Sequence, residues 1–374
     1  MSISWSPIID FGGAGRLALD AARPRSIATE SAADLILVKV LLLAPGSPEL
    51  DRGSSDTVAR YREGLMSRGH LCEVFGESGR GELRRSLIGT LLRFHPDLVH
   101  AHDAWRTGVR LLGLRLPWVV SISGDELDAA QRGDAMSPEV REVFAEASRV
   151  LVPTPSAIAA IEALAPAAVG KIDVVPRSAE ELPSGGTDLR RSLGIPRSRA
   201  LILVPGGLRR VKAQDEVLAL LPILRERGVD AEIVIAGPDQ DPDFAERLRA
   251  RAAEDPRLRI IPPLSRERMG PSYRNADVVL VPSRAEGMSP VILEAGLLGR
   301  PVVARDIAAN RELIRHRESG LLFTDQESMA RCVLAALAHR ATAGAMGVRL
   351  AEDLRRRFSR EQEIARLLSA YAAA

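Results

Sequence analysis

The chain has 374 residues, enough for two domains that each bury a core. Its 46% apolar and 27% charged content is ordinary for a soluble globular protein, and a net charge of +2 leaves no basic footprint for nucleic acid. No apolar run reaches the roughly 18 residues of a membrane-crossing helix, and Cys72 and Cys332 lie too far apart in sequence for a disulfide framework or a zinc spacing, which points to a reducing cytoplasm.

Residues 1–34 lack the charged start and apolar stretch of a signal peptide and read as a flexible extension. The Gly12–Gly15 cluster is no phosphate loop, because no strand precedes it. The first strand is expected over Leu35–Leu43, followed by a loop to Ser55, a helix near Asp56–Arg68 and a strand at Leu71–Phe75. A helix near Gly81–Phe94 leads to the strand Leu98–Ala101, and further short strands follow at Trp118–Ile122, Val150–Val152 and Ile172–Val175. Pro183-Ser-Gly-Gly186 reads as a linker. A second series then runs through Arg199–Val204, Ala231–Ala236, Leu258–Ile261, Ala276–Val281, Pro301–Ala304 and Leu321–Phe323. Glu361–Ala374 reads as a terminal helix. Strands alternating with helices predict doubly wound α/β sheets: one domain over 35–183, a linker over 184–198, a second domain over 199–345, and terminal helices over 346–374. Ligands of such sheets bind beyond the carboxyl ends of the strands, so the two halves predict a deep cleft.

Glu286 and Glu294 carry most of the functional signal. They sit in Ser283-Arg-Ala-Glu286-Gly-Met-Ser-Pro-Val-Ile-Leu-Glu294, between a buried strand and a helix with Ser289 at the N-cap and Pro290 at its first position. A helix N-terminus offers unpaired N–H donors to phosphate. Two carboxylates flanking that seat suit a ligand with hydroxyls at both ends and phosphate between them, the form of a nucleotide-sugar. With 49 acidic residues in the chain, the spacing has force only through its strand-to-helix setting.

Residues 201–323 resemble the donor-binding half of the retaining glycosyltransferases of family 4, which have the GT-B fold. The matching pieces are Gly207-Leu-Arg-Arg-Val-Lys212, Ile233-Val-Ile-Ala-Gly-Pro238, Ala276–Ser283, Glu286–Glu294, Gly299-Arg-Pro-Val-Val and Gly320-Leu-Leu-Phe. Gly-Leu-Arg-x-Val-Lys and Glu-Gly-Met-Ser are most similar to the glycosyltransferase-1-domain-containing subgroup; selenosugar synthases are a weaker likeness. The resemblance implies two Rossmann-like domains facing across a cleft, with a terminal helix crossing back to the first. It implies transfer of a hexose from a nucleotide-sugar, UDP-linked by expectation, to a small-molecule or glycan acceptor, without cofactor or metal. On it, Arg209 and Lys212 hold the diphosphate, with Arg209 taking over the role of the family arginine, whose position is Gly207 here, and Arg210 as a substitute. Glu294 takes ribose hydroxyls, Glu286 the donor sugar, and the segment Gly287, Met288, Ser289 and Val291 borders sugar and phosphate.

On the acceptor side, Gly53-Ser54-Ser55 allows close backbone approach, with a plain turn before the helix as the alternative. His102 and Asp103 are acceptor-side candidates. His100 and His102 share one strand face; a metal pair lacks a third ligand, and structural histidines stay open. Many family members carry a histidine after the strand that matches Trp118–Ile122. This chain has Gly124-Asp125-Glu126 there, which makes Asp125 the candidate contact and a helix cap its alternative. Asp239-Gln-Asp241-Pro-Asp243 lacks the glycine and glutamate of a calcium loop and reads as a helix cap. Transfer to sulfur or selenium, epimerisation, and a nucleotide-sugar binding protein without turnover are the competing readings, and peripheral membrane contact stays open.

Overall fold

Short runs of Val, Ile and Leu with no polar alternation can bury both faces only inside a parallel sheet. The computed structural model describes residues 37–44, 52–76, 83–122, 124–132, 136–187 and 189–374, and for 52–55, 83–85, 125 and 130–132 the backbone alone. The expected extension 1–34 lies outside the described residues. Two all-parallel sheets form. The first contains β1 (Lys39–Ala44), β2 (Leu71–Gly76), β3 (Leu98–His102), β4 (Trp118–Ser121), β5 (Arg149–Val152) and β6 (Ile172–Val174), in the order β2-β1-β3-β4-β5-β6. The second contains β7 (Ala200–Pro205), β8 (Ala231–Ala236), β9 (Leu258–Ile261), β10 (Val278–Val281), β11 (Val302–Arg305) and β12 (Leu321–Phe323), in the order β12-β11-β10-β7-β8-β9. The second order is that of dinucleotide-binding sheets. The first follows the other doubly wound pattern, with its reversal between β1 and β3. The reversal in the second sheet falls between β7 and β10, where the loops part to opposite faces and open a crevice.

The helix after β1 spans Arg52–Met66, one turn earlier than the sequence suggested. Gly53, Ser54 and Ser55 therefore belong to its first turn and not to a loop. Serine and aspartate are tolerated there because first-turn N–H groups have no intrahelical acceptor. Asp241 caps the helix Pro242–Ala252 by accepting from the Phe244 N–H at 3.1 Å.

The chain crosses between domains twice, and the two crossings run side by side: the Ala179 N–H donates to the Phe358 carbonyl at 2.8 Å. The final helix, Arg360–Ala372, starts with a Ser359–Gln362 capping box and lies on the first domain. Its Glu363 forms a two-pronged pair with Arg60 (2.9 and 3.2 Å) and accepts from Ser178 Oγ at 2.5 Å. Arg60 and Glu363 are 4% and 1% exposed. Its Tyr371 hydroxyl meets His100 Nδ1 at 2.7 Å. Gly64 admits the helix: a Cβ there would lie 2.4 Å from the Ile364 side chain. The preceding helix, Arg340–Arg357, braces the helix Pro290–Leu297, where a Cβ on Gly296 would lie 2.5 Å from the Leu354 side chain.

Removing one member of a buried ion pair strands the other. Glu363→Ala is expected to cost about 3–5 kcal/mol, read by urea unfolding followed through the fluorescence of buried Trp118 in the first domain. An unchanged midpoint would mean that the terminal helix does not hold that domain.

Candidate functional site

The crevice is built from backbone outward. β7 ends in Pro205-Gly206-Gly207, and Gly206 has φ of 147°, a conformation open to glycine. A Cβ on Gly237, just after β8, would lie 1.9 Å from the Gly206 carbonyl oxygen, so only glycine lets the two loops meet. Gln214 Nε2 donates to the Gly207 carbonyl at 2.9 Å and pins the loop. Next, a short turn Arg210–Lys212 ends at Ala213 in the left-handed region. The Arg284 N–H donates to the Val211 carbonyl at 2.8 Å, which ties this turn to the loop after β10. That tie places Lys212 Nζ 2.7 Å from Glu286 Oε1, with the two side chains 17% and 8% exposed.

Arg209 lines the crevice. Arg210 does not; its guanidinium is solvated and stands 3.4 Å from Asp241. Ser289 occupies the N-cap position of Pro290–Leu297 but makes no side-chain cap. Its hydroxyl is buried without a hydrogen-bond partner among the described residues. Gly207, Gly287, Met288, Val291 and Glu294 form the wall, with Ser289 behind it. Glu294 Oε2 accepts from the Tyr273 hydroxyl at 2.8 Å. Burial lifts the Glu294 carboxyl above its ordinary pKa; the Tyr273 hydrogen bond and the Arg177 and Arg266 guanidiniums oppose the rise, and Asp56 adds to it.

The opposite wall belongs to the first domain, and the cleft between them holds about 1000 Å³. The domains touch at Gly287, whose carbonyl lies 3.4 Å from Thr154 Oγ1 and whose Cβ, if present, would be 3.1 Å from Pro153. Gly124 lines the cleft beside Gly287. The Asp125 side chain, like those of Ser54 and Ser55, lies outside the described residues, and only the backbone of Gly53 is described; Asp56 and Thr57, next along that helix, line the cleft.

His100 is structural. Its ring nitrogens meet Tyr371 and Ser121 at 2.7 and 2.8 Å, and its ring stacks on His102 with centroids 4.2 Å apart. His102 lines the cleft, and its Nε2 is buried with no hydrogen-bond partner among the described residues. Burial, aided by the charge of Arg60, pushes its pKa down to about 3, so the ring is neutral at physiological pH. Asp103 corrects the sequence reading. It is buried at φ of 126°, does not line the cleft, and accepts from the Arg106 and Thr107 N–H groups at 2.5 and 3.1 Å. Its carboxylate builds a turn, and that turn presents Arg106 to the cleft instead.

Arg106, Arg177, Tyr273 and Gln240 line the cleft and were missed in the sequence. Arg177 had one available signal, its place just beyond the carboxyl end of β6. Among the described residues no group of three His, Cys, Asp or Glu side chains could hold a metal, and no helix is long and apolar enough to cross a membrane.

Residues 199–339 match the family model described as glycosyl transferases group 1, and residues 21–178 that of the glycosyl transferase 4-like domain. The chain is 27% identical over 300 residues to glycosyltransferase 1 domain-containing protein 1 of Xenopus tropicalis, covering 78% of this chain and 85% of that one. It is 30% identical over 307 residues to a D-inositol 3-phosphate glycosyltransferase of Geodermatophilus obscurus, covering 75% and 67%. Similar solved structures are a sucrose-phosphate synthase from Thermosynechococcus elongatus (TM-score 0.76, 18% identity, 89% of this chain and 98% of that one) and Anabaena HepE in complex with UDP and glucose (TM-score 0.68, 18% identity, 90% and 100%). At these identities the structural likeness speaks for the fold.

A histidine held neutral in the folded state but free to protonate when unfolded costs stability in acid. Its folded pKa lies below the unfolded value of about 6.5, so its contribution is whole above that pH and is lost as pH falls toward about 3. At pH 5, His102 is expected to cost about 2 kcal/mol relative to pH 7.5, from about 1.4 kcal/mol per pH unit. His102→Gln should flatten that part of the decline in urea midpoints; an unaltered slope would place a charged or solvated imidazole there.

Proposed function

The chain belongs to the family-4-type glycosyltransferases of GT-B fold, and from that premise we infer that it moves a hexose from a UDP-sugar to an acceptor hydroxyl seated on the first domain. The observation that carries this reading is the convergence of Arg209, Lys212, Glu286 and Glu294 on one cleft at the carboxyl ends of β7 and β10. The ribose hydroxyls donate to Glu294, which keeps one oxygen on Tyr273. The diphosphate lies against the N-terminus of Pro290–Leu297 and meets Arg209 and Lys212. The HepE structures with UDP and glucose, or with UDP-glucose, support a UDP-sugar donor by fold analogy.

Lys212 cannot serve both the diphosphate and Glu286 in full. An arriving diphosphate draws the ammonium toward itself and releases the carboxylate to accept from sugar hydroxyls. The acceptor oxygen then bonds to the anomeric carbon on the face that the diphosphate leaves. The carbon–oxygen bond to the phosphate breaks, and the acceptor proton passes to a departing phosphate oxygen, so configuration is retained. Arg209 and Lys212 stabilise the growing negative charge, which is why we assign no metal. His102 Nε2 is the hydroxyl ligand on the acceptor wall, and Asp125 is the second candidate contact. Free Cys72 and Cys332 fit a reducing, cytoplasmic setting.

Glu286→Gln should bind UDP at least as tightly as the parent in calorimetry, because Lys212 loses its competitor, while kcat falls about 10²–10³-fold. Lys212→Ala should weaken UDP binding about tenfold or more, the scale of a charged hydrogen bond, and EDTA should leave turnover unchanged. Parallel loss of UDP binding and transfer in Glu286→Gln would defeat the division of roles. A thermal-shift panel of UDP-, GDP-, ADP- and TDP-sugars would identify the donor by which compound stabilises most.

A further inference from the structure

Arg177 stands where the chain leaves the first domain, just after β6, and no step above uses it. It lines the cleft and contacts the helix Arg52–Met66: its Nη1 donates to Thr57 Oγ1 at 3.2 Å, and its Nη2 is 4.0 Å from Asp56 Oδ2. Behind Glu294 a small cavity of about 10 Å³, near the size that one water needs, is lined by Arg177, Arg266, Glu180 and Glu294. Arg177 and Glu294 thus face one another across the domain junction. The neighbour Ser178 is fixed to Glu363 and Ala179 to Phe358, so the guanidinium is mounted on the paired crossing segments.

We propose that Arg177 is a positioning residue that reaches from the first domain to hold Glu294 ionised and oriented, so that the nucleoside-binding carboxylate is complete only when the two domains are docked. The chemistry follows from the setting. A carboxylate that accepts from two ribose hydroxyls must be unprotonated. Glu294 sits where burial favours its neutral form, and Asp56 adds to that pressure. Opposing it are Tyr273 and Arg266 from the helix Arg266–Asn275, and Arg177 from the other domain. Burial pulls the Arg177 pKa down to about 10, which leaves it a cation at any working pH. Arg266 is already engaged by Glu180 at 3.2 Å and is 44% exposed, so its field is screened more than that of Arg177, whose side chain is 16% exposed. The first domain thereby contributes to donor binding through a charge and not through contact with the nucleotide.

The proposal rests on the reading of Glu294 as the ribose ligand, and the test separates the two. The Glu294 carboxyl carbon is followed by NMR against pH in the full chain, assigned by its absence in Glu294→Gln. In Arg177→Met its titration midpoint should rise above that of the parent, and Arg177→Lys should restore it; Arg177→Gln repeats the measurement if the methionine variant fails to fold. Uridine, which has no phosphate to titrate, is the binding probe. Its affinity in Arg177→Met should drop about tenfold at pH 6 and little at pH 8. An unmoved midpoint overturns the role of Arg177. A raised midpoint with uridine affinity unchanged at both pH values leaves the Arg177–Glu294 coupling standing and removes Glu294 as the ribose ligand.

Discussion

A half-buried lysine and a buried glutamate, paired at the reversal point of a parallel sheet, set the terms for this molecule. Withdrawing the two charges partly from water carries a cost, and a pair at 2.7 Å offsets it without exceeding it by much. Such a pair is a poor way to stabilise a domain and a good way to hold a charged site in register. The rest of the second domain follows from keeping it in place. The Gly206–Gly237 approach closes the loops beneath it, Gln214 pins the glycines, and the bond from the Arg284 N–H to Val211 ties the lysine loop to the glutamate loop. The helix that carries Glu294 is in turn packed on Arg340–Arg357 through Gly296, which meets Leu350 and Leu354. Electrostatic catalysis depends on groups that need not move when charge develops, and these backbone ties supply that fixity.

The first domain obeys a different constraint. Its cleft wall is completed from the far end of the chain: Glu363 neutralises Arg60, and Tyr371 fixes His100, on whose ring His102 stacks. A wall held by the terminal helix cannot be correct unless both crossings between domains are in place. The terminal helix thus completes this wall, and the half-buried guanidinium of Arg177 sits where the chain leaves the first domain.

This division explains what could be read in the sequence. The second domain was legible because its signals are local. Continuous apolar runs gave β7 through β12, with β10 starting at Val278 and not Ala276, and a Ser-Pro helix start placed Glu294 on the helix and Glu286 in the loop before it. The wall of the first domain was legible as strands and hardly at all as a site. Arg60 and Glu363 are 303 residues apart, and no periodicity connects them. Asp103 looked like a ligand because an acidic residue after a strand often is one, but the backbone N–H groups of its own turn claim the carboxylate. Ser289 was placed correctly as an N-cap by position, yet its side chain does not cap, a geometric outcome that residue type alone does not encode.

The same asymmetry bears on how selectivity is distributed. Ribose and diphosphate present fixed groups at fixed spacing, so a contiguous loop and helix can meet them, and that contiguity is what makes a motif. The facing wall draws Thr57 from a helix, His102 from the end of β3, Arg106 from the turn after it, and Arg177 from beyond β6. These residues come from three stretches of the chain, and they are cross-linked, since Arg177 donates to Thr57 and the Asp103 turn next to His102 holds Arg106. His102 adds a further restriction, since a ring that burial keeps neutral offers hydrogen bonds and no charge. Cationic attraction on that side falls instead to arginines already braced by Asp103 or by Asp56 and Thr57. The first-domain wall therefore offers a neutral imidazole beside braced arginines, while the second-domain wall carries a contiguous loop and helix.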